Sequence, residues 1–190
     1  LEKRIRQFAE SLPGRKERNR NNLSLIRYAD DFVVIHEDIN IVIRCQQIIT
    51  EWLKGMGLEL KPSKTRLTHT LHEYDGNVGF DFLGHTIRQY KIGNYRADKD
   101  SQKRSLGFST IIKPSKEKIL SHLEEIGRII DSHINTPQSA LIARLNPVIR
   151  GWSNYYSTAV SKSVFNKLDY LTYQKLRAWG LRRSTNKKKP

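Results

Sequence analysis

Leu25-Ile26-Arg27-Tyr28-Ala29-Asp30-Asp31-Phe32-Val33-Val34-Ile35 sets two adjacent carboxylates between short apolar runs, residues 23–26 before them and 32–35 after. Runs of this length, rich in β-branched and aromatic residues and closed by a tight acidic turn, predict a hairpin that lifts paired acids out of a sheet. Hard carboxylate oxygens on a rigid turn suit a divalent cation such as Mg²⁺. An isolated Asp-Asp is more often an ordinary surface turn, because aspartate is a good turn former. The strand-like flanks lift Asp30 and Asp31 above that reading.

Charge points to the partner. The chain of 190 residues carries 34 Lys and Arg against 19 Asp and Glu, a formal charge of +15. The excess is uneven: over residues 140–190 eleven basic residues face one acid, Asp169, so +10 of the +15 lies in the last quarter. Such a balance calls for a polyanion, with nucleic acid bound through counterion release at phosphates. A membrane partner is not expected, since no apolar stretch approaches the roughly 20 residues needed to span a bilayer. The single cysteine, Cys45, excludes an internal disulfide and a cysteine-cluster zinc site, and its apolar neighbours Ile41, Val42, Ile48 and Ile49 make it a core residue. An intracellular, reducing compartment is the default expectation: the cytoplasm of a bacterium, or an organelle in a eukaryote.

Periodicity sketches the organisation. Residues 2–22 hold seven basic and three acidic side chains around Pro13-Gly14, and read as a solvated or RNA-facing lead without its own core. After the acidic hairpin an amphipathic helix is expected over about residues 40–54, with Ile41, Cys45, Ile48, Ile49 and Trp52 on one face and Gly55 and Gly57 as stop signals. Residues 58–60 and 65–70 read as short strands around Pro62-Ser63, and 79–88 as another strand or hairpin arm. From Lys113 the period becomes helical: Ile119, Leu120, Leu123, Ile126, Ile130 and Ile134 recur at three- and four-residue steps behind Ser115 as N-cap. Thr136-Pro137 and Asn146-Pro147 each resemble a helix start, giving two helices or one kinked at the second proline. In that segment Val148, Ile149, Trp152, Tyr155, Tyr156 and Ala159 form an apolar and aromatic face, more often core than a base-stacking platform, with Arg150 on the charged side. A last helix over about residues 164–180 turns Phe165, Leu168, Leu171 and Trp179 inward. The six histidines show no metal-ligand spacing.

Taken in order, four blocks resemble group II intron reverse transcriptases. The Tyr28-Ala29-Asp30-Asp31 box is followed by Gly57-Leu58-Glu59-Leu60-Lys61-Pro62-Ser63-Lys64-Thr65-Arg66, then Phe80-Asp81-Phe82-Leu83-Gly84-His85. Last comes Leu145-Asn146-Pro147-Val148-Ile149-Arg150-Gly151-Trp152-Ser153-Asn154-Tyr155-Tyr156, similar to the maturase, or thumb, signature. The resemblance covers about residues 23–183. It implies an α+β fold, a partial polymerase palm followed by a helical thumb. The corresponding organisation is a basic lead at 1–22, the later half of the palm at 23–90, a connector at 91–112, the helical thumb at 113–183 and a basic tail at 184–190.

The resemblance also implies roles. Asp30 and Asp31 would join a further aspartate to hold two Mg²⁺ ions for RNA-templated DNA synthesis from deoxynucleoside triphosphates. Ions about 4 Å apart activate an attacking 3′-hydroxyl and stabilise departing pyrophosphate. Lys64 would neutralise or protonate that pyrophosphate. Phe82, Leu83 and Gly84 would form the primer grip, unless they serve only as a buried strand end and its turn. Arg150, Arg182, Arg183, Lys187, Lys188 and Lys189 would contact RNA, the group II intron, beside a DNA primer or target. Relatives place fingers and another catalytic aspartate before the Tyr-x-Asp-Asp box, and nothing in residues 1–22 offers them. The chain opens without Met and ends in Lys187-Lys188-Lys189-Pro190, so it reads as a fragment whose fingers come from a missing N-terminal piece. The competing expectations are a polymerase-inactive, RNA-binding splicing factor or decayed remnant, and a retron- or defence-type reverse transcriptase. The thumb signature argues against the last.

Overall fold

In a computed structural model, which describes residues 1–93 and 96–186, the first unit spans Leu1–Leu67. Helices α1 (Glu2–Ser11) and α2 (Lys16–Asn22) precede the acidic hairpin, whose strands β1 (Ser24–Tyr28) and β2 (Asp31–Ile35) pair antiparallel from Ser24 opposite Ile35 to Tyr28 opposite Asp31. The two-residue period sorts the side chains: Leu25, Phe32 and Val34 pack on the core, while Ile26 and Tyr28 on the other face stay exposed. Helix α3 (Ile39–Lys54) starts at Asp38, whose carboxylate accepts a hydrogen bond from the Asn40 amide at 2.8 Å, and ends at Gly55. It seals the core with Cys45 and Ile49. Fully burying an isoleucine contributes about 1.5–3 kcal/mol, so this face anchors the hairpin from below.

Two expectations fail in this unit. The lead is not coreless, because α1 buries Ile5 and Ala9 against Leu23, Cys45 and Ile49, with Leu1 and Phe8 packed alongside. Its apolar residues recur at helical spacing, but Lys3, Arg4 and Arg6 between them, and four more basic side chains after them, dilute the stripe. The strands expected at 58–60 and 65–70 do not form. Pro62–Lys64 is a single 3₁₀ turn, and in 65–70 the described pairing is an isolated bridge of His69 with Val78. Pro62 lacks the N–H a ladder requires, and a short run without a partner strand stays merely extended.

The second unit begins at Thr68. Strands β3 (Phe80–Phe82), β4 (His85–Lys91) and β5 (Phe108–Pro114) form an antiparallel sheet in that order, with His85 opposite both Phe82 and Pro114. The expected hairpin arm is present, and the end of the expected connector is β5. That strand runs directly into Ser115, whose hydroxyl accepts from the Lys118 amide at 3.3 Å to cap α4 (Lys116–Ser132). Helix α5 (Gln138–Tyr155) runs through Pro147 without a break, and its start is flanked by Pro137 rather than capped by the Thr136 side chain. Helix α6 (Lys162–Asn186) completes the bundle. The core holds Ile126, Ile129, Ile130, Leu141, Leu145 and Trp179. Leu120, expected inside, is 50% exposed, because the phase that buries Ile126 and Ile130 turns His122 inward instead. The architecture is α+β, a sheet-bearing part followed by a helical bundle.

Candidate functional site

The acidic turn is closed by Ala29 and Asp30 alone, since Tyr28 and Asp31 already pair. Ala29 sits at φ +54°, a left-handed conformation that costs an L residue roughly 1–2 kcal/mol. A positive φ at the first central residue only is the pattern of a type II′ hairpin turn, whose twist suits the flanking strands. Asp30 and Asp31 are thereby exposed at the hairpin tip, and neither side chain bonds to a described residue. Two adjacent carboxylates with unused lone pairs are the donor set a hard cation takes, and they fit Mg²⁺ as part of a shell completed by water and phosphate. Among the described residues, no group of three His, Cys, Asp or Glu is placed to hold a metal ion. Lys64 ends the Pro62–Lys64 turn of the same unit, exposed.

In the second unit Phe82, Leu83 and Gly84 come together at the β3–β4 turn. Phe82 pairs with His85, leaving Leu83 at φ +49° and Gly84 at φ +75° as the two central residues. Positive φ at both marks a type I′ turn, which favours Asn-Gly, so leucine is out of place there. Four donors hold the turn's two carbonyls. The Leu83 oxygen accepts from the Tyr155 hydroxyl at 2.9 Å and from His85 Nδ1 at 3.0 Å, which requires the Nδ1–H form of the ring. The Gly84 oxygen accepts from the Tyr156 hydroxyl at 3.1 Å and from the Ser115 amide at 2.8 Å. A Cβ on Gly84 would lie 2.7 Å from the Tyr156 oxygen and 3.2 Å from Lys118 Cγ.

Behind this turn lies an aromatic stack. The His85 ring is 5.4 Å from Tyr155 and 4.9 Å from Tyr156, Tyr156 is 4.4 Å from Trp152, and Trp152 stacks on His122 at 4.7 Å and 10°. Burial lowers the His122 pKa against the opposing pull of Glu125, and raises that of Tyr156, with Tyr155 adding to the rise, so the Tyr156 phenol stays a donor at neutral pH. Tyr156 meets the expectation of core, whereas Trp152 is half-buried in the aromatic stack and Tyr155 is 55% exposed. The sequence did not disclose the hydroxyl contacts. The only hint was that a buried tyrosine oxygen needs a partner.

The basic residues divide. Arg150 is exposed on α5, next to Gly151, where a Cβ would meet no atom within 4 Å. Arg182 is exposed and bonds Asp131 at 3.2 Å. Arg183 is half-buried: its guanidinium lies 4.6 Å over the Trp179 ring and donates to the Ile134 carbonyl at 2.9 Å and to that of Thr136. Since the Trp179 indole also donates to the His133 carbonyl at 3.1 Å, this corner of α6 ties down the α4–α5 connection. Lys187, Lys188 and Lys189 lie outside the described residues.

An exposed carboxylate pair on a β-turn, followed in sequence by a fixed hairpin turn and a basic helical bundle, is the layout of a polymerase palm leading into a thumb. Comparison with known proteins agrees at both ends. Residues 2–87 match the reverse transcriptase (RNA-dependent DNA polymerase) family, and residues 119–190 match the group II intron maturase-specific domain. The chain is also similar to an uncharacterized 91 kDa protein in a cob intron of Schizosaccharomyces pombe, at 26% identity over 153 residues, covering 76% of this chain and 18% of that protein. The two matches together identify the chain as similar to group II intron reverse transcriptases and maturases, the first over residues 2–87 and the second over residues 119–190. The chain spans about a fifth of the yeast relative's length.

Proposed function

We propose that the chain takes part in RNA-directed DNA synthesis and in binding and splicing a group II intron RNA, with the exposed Asp30–Asp31 pair as the observation that carries the reading. The two carboxylates would hold two Mg²⁺ ions together with a further acid and the phosphates of a deoxynucleoside triphosphate. Bound there, the ions would activate the primer 3′-hydroxyl and stabilise the leaving pyrophosphate. Lys64 would balance charge on that pyrophosphate. The Phe82-Leu83-Gly84 turn would seat the end of a DNA primer. Arg150 and Arg182 would meet RNA phosphates, and Arg183, Lys187, Lys188 and Lys189 would add positive potential. The cob-intron origin of the similar yeast protein supports an intron-borne role, in a bacterial cytoplasm or an organelle.

Metal binding is tested by Mn²⁺, a paramagnetic stand-in for Mg²⁺. It should broaden the amide resonances of residues 28–32 and fail to do so in the Asp30→Asn, Asp31→Asn double variant. Equal broadening in both would remove the metal assignment. Primer extension on an RNA template with Mg²⁺ completes the test, comparing the 190-residue chain with Asp30→Ala. Because two carboxylates alone bind Mg²⁺ weakly, neither is expected to extend, while both retain intron RNA. Synthesis by the unmodified chain alone would show that another of its own carboxylates completes the site. A second reading, an RNA-binding splicing factor without chemistry, is favoured by the +10 charge over residues 140–190 and would follow if RNA is retained and Mn²⁺ is not.

A further inference from the structure

The aromatic pair at the end of α5 does more than fill the bundle core. Tyr155 and Tyr156 are consecutive, yet both hydroxyls reach one turn 72 residues earlier and bond to its two consecutive carbonyls, Leu83 at 2.9 Å and Gly84 at 3.1 Å. Each carbonyl's second lone pair is taken by a donor close to the turn or at the start of α4, His85 Nδ1 on Leu83 and the Ser115 amide on Gly84. The turn thus has all four carbonyl lone pairs used, and it holds a leucine at φ +49°. A strained residue of this kind persists only where its surroundings over-determine it. The fit is also close: nothing larger than glycine clears the Tyr156 oxygen at position 84. A core tyrosine needs one partner of any kind, whereas two adjacent tyrosines aimed at successive carbonyls of one turn fix its orientation.

We infer that Tyr155 and Tyr156 are positioning residues, whose hydroxyls lock the Leu83–Gly84 turn to the helical bundle and thereby set where a primer end is held. The inference rests on the primer-grip reading of residues 82–84 for its functional half. Its structural half stands on the hydrogen bonds alone. No proton or bond is exchanged in this role, since the phenols act as fixed donors.

The test uses Tyr155→Phe, Tyr156→Phe and the double variant of the 190-residue chain, which keep the rings and their stacking on His85 and Trp152. Two readouts are taken. The first is hydrogen exchange of the Ser115 amide, whose acceptor is the Gly84 carbonyl. The second is fluorescence of 2-aminopurine at the 3′ end of a DNA primer annealed to an RNA template. Each lost hydroxyl bond should raise local opening about fivefold, and the double variant more than tenfold, with unchanged helical circular dichroism. The 2-aminopurine signal should move toward that of free primer–template. Unchanged exchange in the double variant overturns the inference whatever the primer does. Faster exchange with an unchanged primer-end signal, or no primer-end signal from the unmodified chain, overturns the grip reading and the positioning role with it. Equal loosening of Ser115 and of the Ile126 and Ile130 amides in the α4 core would reduce the tyrosines to general packing, which also sinks the inference. Tyr155→Phe serves as the second variant if the double change unfolds the bundle, because Tyr155 is the more exposed of the pair.

Discussion

Ala29 in the first unit and Leu83 in the second each hold left-handed backbone at a hairpin turn, each at a cost of roughly 1–2 kcal/mol. Ala29→Gly removes the Cβ that causes the strain and adds chain entropy to the unfolded state, roughly 0.5–1 kcal/mol, so the variant should be stabilised by about 0.5 kcal/mol in urea unfolding. A lowered midpoint would mean that the turn is unstrained. Gly84→Ala meets both a positive φ and the Tyr156 oxygen, and should destabilise by about 2 kcal/mol or more. Gly57→Ala, at φ +72° with nothing within 4 Å of its Cβ, bears the backbone term alone. Equal losses at the two positions would show that the tyrosine does not crowd the turn. These residues also mark how far the site was legible. Asp30 and Asp31 were readable because a short acidic motif sits between strand-like flanks. Ala29 and Leu83 were not, since neither residue type signals a positive φ, and the hydroxyl that bonds the Leu83 carbonyl comes from 72 residues away.

Helices and strands were legible in proportion to how local their causes are. The α3 face followed from period and stop signals, and Ser115 capped α4 as expected. The α1 stripe was hidden by charge, and β5 was missed because its pairing partner, β4, is what makes residues 108–114 a strand. Two predictions belong at this scale. Burial in the α1–α3 core pushes the Cys45 thiol up to about 11, so it should resist iodoacetamide at pH 8 and react only as urea unfolds this unit. Alkylation of the native chain at the rate of a free thiol would contradict the packing of α3. In the bundle, His122 is held below its ordinary value of 6.5 by burial between α4 and the Trp152 ring. The unfolded chain therefore takes up this proton first. Its contribution to stability is complete above about pH 6.5 and is lost as pH falls through the depressed folded value. His122→Phe, which preserves the stack, should flatten the decline in thermal midpoint between about pH 6.5 and 5. Parallel declines in both proteins would assign the acid sensitivity elsewhere.

Across the whole molecule the dominant physical fact is charge that rises toward one end of the chain. Residues 140–190 hold +10 of the net +15, and the basic side chains described there fall on α5 and α6. Such a distribution predicts how RNA binding depends on salt better than it predicts affinity, because each neutralised phosphate releases condensed counterions. If about six phosphates are neutralised, the observed affinity should drop roughly a thousandfold between 50 and 200 mM salt, with somewhat less for single strands. The individual arginines separate within that slope. Arg150→Ala removes one exposed contact on α5 and should lessen the slope by about one without changing the thermal midpoint. Arg183→Ala removes a guanidinium that caps the Ile134 and Thr136 carbonyls over Trp179, so it should lower the midpoint first and affinity only through the loosened α4–α5 connection. Filter binding to intron RNA across a salt series, run beside thermal unfolding, distinguishes the two. A salt slope near zero would remove the electrostatic basis of RNA recognition. An Arg183→Ala protein of unchanged stability and reduced slope would return that residue from the scaffold to the RNA surface.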